Sequence, residues 1–240
     1  MADVDIAAIC AHPDDAELGM GGTLAREAAR GRRVAIVDLT RGEMGSRGTP
    51  QTREKEAAEA ARILGVVHRE SLGLPDAHLA VIPEHKDAVV EAVRRLRPRV
   101  VLLPHWEQRH PDHAAASHIV YQASYLAGLR AYRPDLGPAF RPFKLAYALA
   151  MTEAGEIAPT FVVDITAQWE TKMKAVRAFA SQFTPGPGET VTLPFERFQQ
   201  AIELAGRRHG QRIGVEYGEG FLTREPLAVD DLVALGGRSI

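Results

Sequence analysis

The sequence predicts an α/β fold, a mostly parallel sheet with helices on both faces. Three observations carry this. Short apolar runs alternate with longer runs of helical periodicity over the first hundred residues. The short runs are too continuously apolar for strands with a solvent face, so they read as strands buried on both sides. Two of the helical runs open with Pro and two are followed by Gly, the punctuation expected at helix starts and ends.

Residues 5–11 (DIAAICA) read as the first strand, ending in a turn at His12-Pro13. Residues 20–31 have helical spacing and stop at Gly31, a common helix terminator. Residues 34–40 (VAIVDLT) are rich in β-branched side chains and predict a second buried strand. Pro50 opens a helix that Gly65 closes, and Pro83 opens another over 83–97. VVLLP (100–104) is a third buried strand. Further on, the pattern predicts helices over 113–130, 167–183 and 194–209, and strands over 144–151 and 160–166. FTPGPGETVTLP is expected to be a loop.

Alternating strands and helices imply a Rossmann-like sheet. The expectation is one domain over 1–240, with a core over about 1–130 and a smaller C-terminal α/β addition over about 131–240. In such sheets ligands bind at the carboxyl ends of the strands.

The 240 residues are 45% apolar and 25% charged, which suits a globular chain with a sizeable core. A net charge of −2 gives no reason to expect nucleic acid or an anionic membrane as partner. The single cysteine, Cys10, lies in an apolar run and cannot form an internal disulfide. Together with an N-terminus lacking a signal-peptide pattern, this points to the cytoplasm.

Two clusters carry chemistry. AHPDDAELGMGGT (11–23) follows the first strand, and HWEQRHPDHAAAS (105–117) follows the third. His12 and Asp15 lie three apart on a turn fixed by Pro13. One imidazole and one carboxylate suit a divalent metal such as zinc. Asp14, between them, is expected to face away and stay unligated. His110, Asp112 and His113 sit just before or at the start of a helix. Two His and one Asp would leave a fourth position for water, the pattern of a catalytic metal site. Either segment alone also reads as a helix-capping turn. Their placement at strand ends of one sheet favours the metal. The other six histidines lack such a context. Gly19, Gly21 and Gly22 could suggest a phosphate-cradling turn, but GMGGT is not G-x-G-x-x-G and follows an acidic turn.

AHPDDAE near the start and RHPDH about a hundred residues later resemble the LmbE-like, or PIG-L type, N-acetylglucosaminyl deacetylases. Residues 39–65 and 214–227 look like the bacillithiol-biosynthesis branch of that family. The resemblance implies zinc-dependent deacetylation of N-acetyl-glucosaminyl-malate to glucosaminyl-malate and acetate. The same chemistry on GlcNAc-inositol or diacetylchitobiose is the alternative. It implies His12, Asp15 and His113 as metal ligands and Asp14 as general base. It also implies a protonated His110 that stabilises the oxyanion or protonates the leaving amine. Asp112 is then expected to orient His110. One zinc per chain is implied, with iron(II) an acceptable substitute for this donor set. A homo-oligomer such as a hexamer is also implied. Malate carboxylates would call for Arg, whose fork binds a carboxylate through two parallel hydrogen bonds. Arg53 and Arg109 are the expected substrate contacts. The competing reading of Arg53 is an exposed helix residue paired with Glu56. A nucleotide-binding protein with a merely structural acidic turn, and a non-catalytic sugar or metal binder, are the readings from other classes.

Overall fold

The computed structural model describes residues 3–149, 157–183, 195–234 and 236. The described strands form one seven-stranded sheet. In chain order the elements are β1 (Ile6–Cys10), α1 (Asp15–Ala29), β2 (Val34–Asp38), α2 (Pro50–Leu64) and β3 (His68–Ser71). There follow α3 (Pro83–Leu96), β4 (Val100–Pro104), α4 (Pro111–Ala127), β5 (Lys144–Ala148) and β6 (Phe161–Asp164). The chain continues with α5 (Trp169–Ala178), α6 (Ala180–Phe183), α7 (Phe195–Ile213) and β7 (Gly218–Leu222). No helix among the described residues is long and apolar enough to cross a membrane.

The strand order is β3-β2-β1-β4-β5-β7-β6. The first five of these are parallel, with Ile6 in register with both Val34 and Val100. β7 runs antiparallel to both β5 and β6. The chain therefore builds outward from β1 in one direction through β2 and β3, then in the other through β4 and β5. The reversal opens a crevice between the ends of β1 and β4, where such sheets bind ligands. The C-terminal strands extend the same sheet.

Alternation along the strands explains the two cores. Ala7 and Ile9 of β1 face a cluster with Val89 and Val93 of α3 and Ile119 and Val120 of α4. Ala8 and Cys10 face Met20 and Leu24 of α1, Leu64 of α2 and Phe179. Both faces of the sheet are thus covered by helices, as the apolar strands predict. Cys10 is fully buried, and burial pushes its thiol up, with the charges of Asp15 and Asp38 adding to the shift.

The structure departs from the sequence reading at several elements. α1 starts at Asp15 rather than near residue 20. Its first turn carries Asp15 and a buried Glu17, which hides the apolar period. The Glu17 carboxylate accepts from Arg69 Nη1 at 2.6 Å, and Arg69 also forks onto Asp38 at 2.8 and 3.1 Å. Arg69 belongs to β3, an edge strand of sequence HRES that no apolar pattern announces. β7 was likewise unpredicted, because GEGFL carries two glycines and strands usually disfavour them. Here glycine is needed. A Cβ at Gly220 would lie 2.6 Å from the His209 ring of α7.

The helix expected over 167–183 is divided at Phe179 into α5 and α6. The loop expected over 184–194 lies outside the described residues, as do the last two residues of the strand expected over 144–151.

Candidate metal and hydrolase site

After β1 the backbone turns through Pro13 and reaches Asp14, the N-cap of α1, at φ 111 and ψ −26. A non-glycine residue in this left-handed region is strained, and such strain persists where surrounding contacts enforce it. The Asp14 side chain makes no capping bond to the helix. Instead, Arg53 Nη2 donates to Asp14 Oδ2 at 3.1 Å and to Pro13 O at 2.7 Å, and Arg53 Nη1 donates to Gly42 O at 3.1 Å. Gly42 has φ +66, and a Cβ there would lie 2.0 Å from Arg53 Nη1, so only glycine leaves room for the guanidinium.

Across the crevice, Pro111 begins α4 and His110 caps it. This brings His113 over the β1 turn. His12 Nδ1 lies 3.3 Å from His113 Nε2 and 3.5 Å from Asp15 Oδ2, and His113 Nε2 lies 3.1 Å from Asp15 Oδ1. Donors about 2.0–2.1 Å from a tetrahedral metal are about 3.3–3.4 Å apart. The three separations therefore fit a divalent ion, and the donor set of two imidazoles and a carboxylate suits zinc or iron(II).

The remaining ring nitrogens are held from behind. His12 Nε2 lies 3.0 Å from Asp76 Oδ1 and 3.4 Å from Asp112 Oδ2. Facing carboxylates, this nitrogen carries the proton, which leaves Nδ1 free to ligate. His113 Nδ1 lies 2.9 Å from Gln108 Oε1 and is fixed in the same sense. His12, Asp76 and Asp112 also form a compact acidic group. However, their carboxylates accept from the backbone nitrogens of Met44, Ala77 and Leu79, so these oxygens are already satisfied. All three of His12, Asp15 and His113 line a cavity, whereas Asp112 of the second group does not.

The electrostatics reflect this crowding. Burial lowers His12, but the hydrogen bond and charge of Asp15, with Asp76 and Asp14, outweigh it and raise the imidazole to about 9. His113 is raised in the same way, burial being outweighed by Asp15. Burial would raise Asp15, yet His113 and His12 hold it well below the usual carboxylate range. Asp14 is raised to about 7 by burial, against the lowering charge of Arg53. Burial lowers His110, and His113 and His12 lower it further.

One sequence expectation, for Asp112, and one competing reading, for Arg53, need correction. Asp112 does not orient His110. Its carboxylate accepts from Ala77 N and Leu79 N and faces His12, because the first turn of α4 points it back under the β1 turn. His110 Nδ1 instead accepts from Asp112 N at 3.2 Å as a helix cap. With Nδ1 accepting there, a ring proton belongs on Nε2. Arg53 is neither exposed nor paired with Glu56. It is buried and donates to Asp14 and the backbone, while Glu56 accepts from Ser181 N and Oγ. Arg109 is exposed at the rim of the crevice, beside His110.

Sequence reading missed Asp76 and Gln108. Asp76 follows the unpredicted edge strand β3, so nothing placed it near the site. Gln108 lies inside the 105–117 segment, five residues before His113, but no motif position marks it. Gly19, Gly21 and Gly22 lie inside α1, not in a turn that could cradle phosphate.

Two cavities meet at the triad. One, of about 350 Å³, takes in His12, Asp14, Asp15, Arg53, Asp76 and His113. The other, of about 340 Å³, runs from His110 and His113 past Leu18 to Met20, Ala148 and Phe198.

Residues 7–124 match the family described as PIG-L, GlcNAc-PI de-N-acetylase. The chain is 32% identical to a diacetylchitobiose deacetylase of Thermococcus kodakarensis, over 88% of this chain and 79% of that one. It is also 32% identical to a 1D-myo-inositol 2-acetamido-2-deoxy-alpha-D-glucopyranoside deacetylase of Saccharopolyspora erythraea, over 89% and 85% of the two chains. Among solved structures, a conserved protein from Thermus thermophilus superposes with a TM-score of 0.85 at 43% identity, covering 95% of this chain and 98% of that one.

Proposed function

The chain belongs to the PIG-L family of de-N-acetylases, and on that premise we propose that it hydrolyses the N-acetyl group of a GlcNAc conjugate, with His12, Asp15 and His113 holding a divalent metal. It is a hydrolytic enzyme of that family. The observation that carries the proposal is the spacing of the three donor groups, 3.1 to 3.5 Å, directly beside an unligated Asp14.

A bound zinc or iron(II) acidifies a water and polarises the amide carbonyl. The chain's own groups do the rest. Asp14 Oδ2 is held by Arg53, which leaves Oδ1 to take a proton from the attacking water. Its pKa near neutrality suits a general base. With Nδ1 accepting from Asp112 N, His110 Nε2–H would donate to the developing oxyanion, and a proton must then reach the departing amine nitrogen. Asp76 and Asp112 behind His12, and Gln108 behind His113, fix the rings so that the ligating nitrogens need not reorient.

For the sugar's partner, the relatives favour GlcNAc-inositol or diacetylchitobiose over the malate glycoside. The bonds from Arg53 Nη1 and Nη2 to Asp14 and the backbone also weaken the argument that it awaits a malate carboxylate. The test is release of free amine by the zinc-loaded chain from GlcNAc-inositol, N,N'-diacetylchitobiose and GlcNAc-malate, alongside Asp14→Ala. Turnover of either of the first two, lost in the variant, supports the proposal. Turnover of GlcNAc-malate alone moves the substrate to the bacillithiol branch, and turnover of none refutes the deacetylase reading.

A further inference from the structure

The second cavity has no task in deacetylation as such. It shares Asp15, Leu18, His110 and His113 with the first, so the two meet where the amide carbonyl must lie. Their walls differ. The first is lined by Asp14, Asp76 and Arg53 and is polar in character. The second is walled by Leu18, Met20, Pro104, Ala148 and Phe198, with Gly19 leaving its α1 wall bare of a side chain.

A secondary amide is planar and trans, so its nitrogen and acyl substituents leave the carbonyl on opposite sides. With the sugar in the polar chamber, the acyl chain is directed into the apolar one. An acetyl methyl, about the size of a water molecule (~30 Å³), would leave most of its 340 Å³ unfilled. Apolar walls favour hydrocarbon in that space.

Resting on the deacylase reading above, we propose that the chain takes N-acyl glucosamine conjugates whose acyl chain is longer than acetyl, the chain lying in the chamber between Leu18 and Phe198. The reaction is ordinary hydrolysis. Water oxygen bonds to the acyl carbon, the C–N bond breaks, the acyl group departs as its carboxylate, and the amine nitrogen takes both water protons to leave as the ammonium.

The experiment compares kcat/KM for the N-acetyl, N-butyryl and N-hexanoyl forms of one glucosaminide on the zinc-loaded chain. Burial of each added methylene is expected to hold or raise kcat/KM, by up to about fourfold per methylene. N-hexanoyl turnover equal to or above N-acetyl supports the proposal, including the case where only the longer chains react. N-acetyl turnover with the N-hexanoyl value a hundredfold lower or worse overturns it while leaving the deacetylase reading intact. Turnover of none overturns both. Gly19→Leu supplies a second readout, because a Cβ at Gly19 has 3.8 Å to the Ala148 Cβ and the added side chain enters the chamber. The hexanoyl-to-acetyl ratio should drop at least tenfold, and an unchanged ratio in the folded variant contradicts the proposal. If that variant does not fold, the chain-length series on the unmodified protein still decides.

Discussion

Arg53 Nη2 sits 3.1 Å from Asp14 Oδ2 and 2.7 Å from Pro13 O, so one buried guanidinium holds both the proposed base and the turn that carries it. This makes Arg53 a positioning residue, acting through Asp14. Lys keeps the charge but loses the fork. Arg53→Lys should therefore lower kcat for amine release by roughly 10- to 100-fold with little change in KM. Because Arg53 lowers the Asp14 carboxyl against its burial, Arg53→Ala should also move the acid limb of the kcat profile to higher pH. A rise in KM at constant kcat would instead point to direct substrate binding.

Asp76 is expected to matter through the metal. Asp76→Asn weakens the acceptor behind His12 Nε2, and metal affinity should fall by roughly 10- to 100-fold, read by chelator competition. Unchanged affinity would show that the His12 ring is held adequately by Asp112 alone.

Metal uptake should depend steeply on pH. Without metal, His12 titrates at about 9 and His113 is also raised. Below about 9 an incoming ion must displace a proton from His12, so apparent affinity should fall about tenfold per pH unit on acidification, and further where His113 also releases one. The same shift acts on the stability of the metal-free chain. A raised imidazole contributes stability that is complete below about 6.5 and lost as pH rises through about 9. The loss is on the order of 3 kcal/mol, measurable by denaturant titration at the two pH values.

A second buried ion pair, besides the Arg69 network, supports the fold. Lys172 Nζ donates to Glu219 Oε1 at 2.6 Å, and the Glu219 carboxylate accepts from Gly22 N and Thr23 N of α1. Both side chains are about 95% buried. Lys172→Met would leave Glu219 unpaired in the interior and should destabilise the chain by about 3–5 kcal/mol.

Legibility in the sequence followed physical cause. The strands IAAIC, VAIVD and VVLLP were readable because both their faces are buried. HRES was not, because an edge strand has one neighbour and here carries an arginine into a buried ion network. GEGFL was hidden because its glycines answer to α7 lying close on top, a tertiary demand that no local pattern shows. At the site, His12, Asp14, Asp15 and His113 could be placed by their position after β1 and β4. The supporting Asp76 could not, since it depends on β3. The role of Asp112 went astray for a related reason. The sequence shows which groups carry charge, but the direction each side chain takes from its helix is decided by packing.

Hydrolysis is proposed to depend on a metal held by His12, Asp15 and His113. The most direct test is amine release from N,N'-diacetylchitobiose and GlcNAc-inositol before chelation, after complete metal removal, and after zinc is restored. Activity should disappear with the metal and return with about one ion per chain. Activity that persists in the metal-free chain would contradict that dependence.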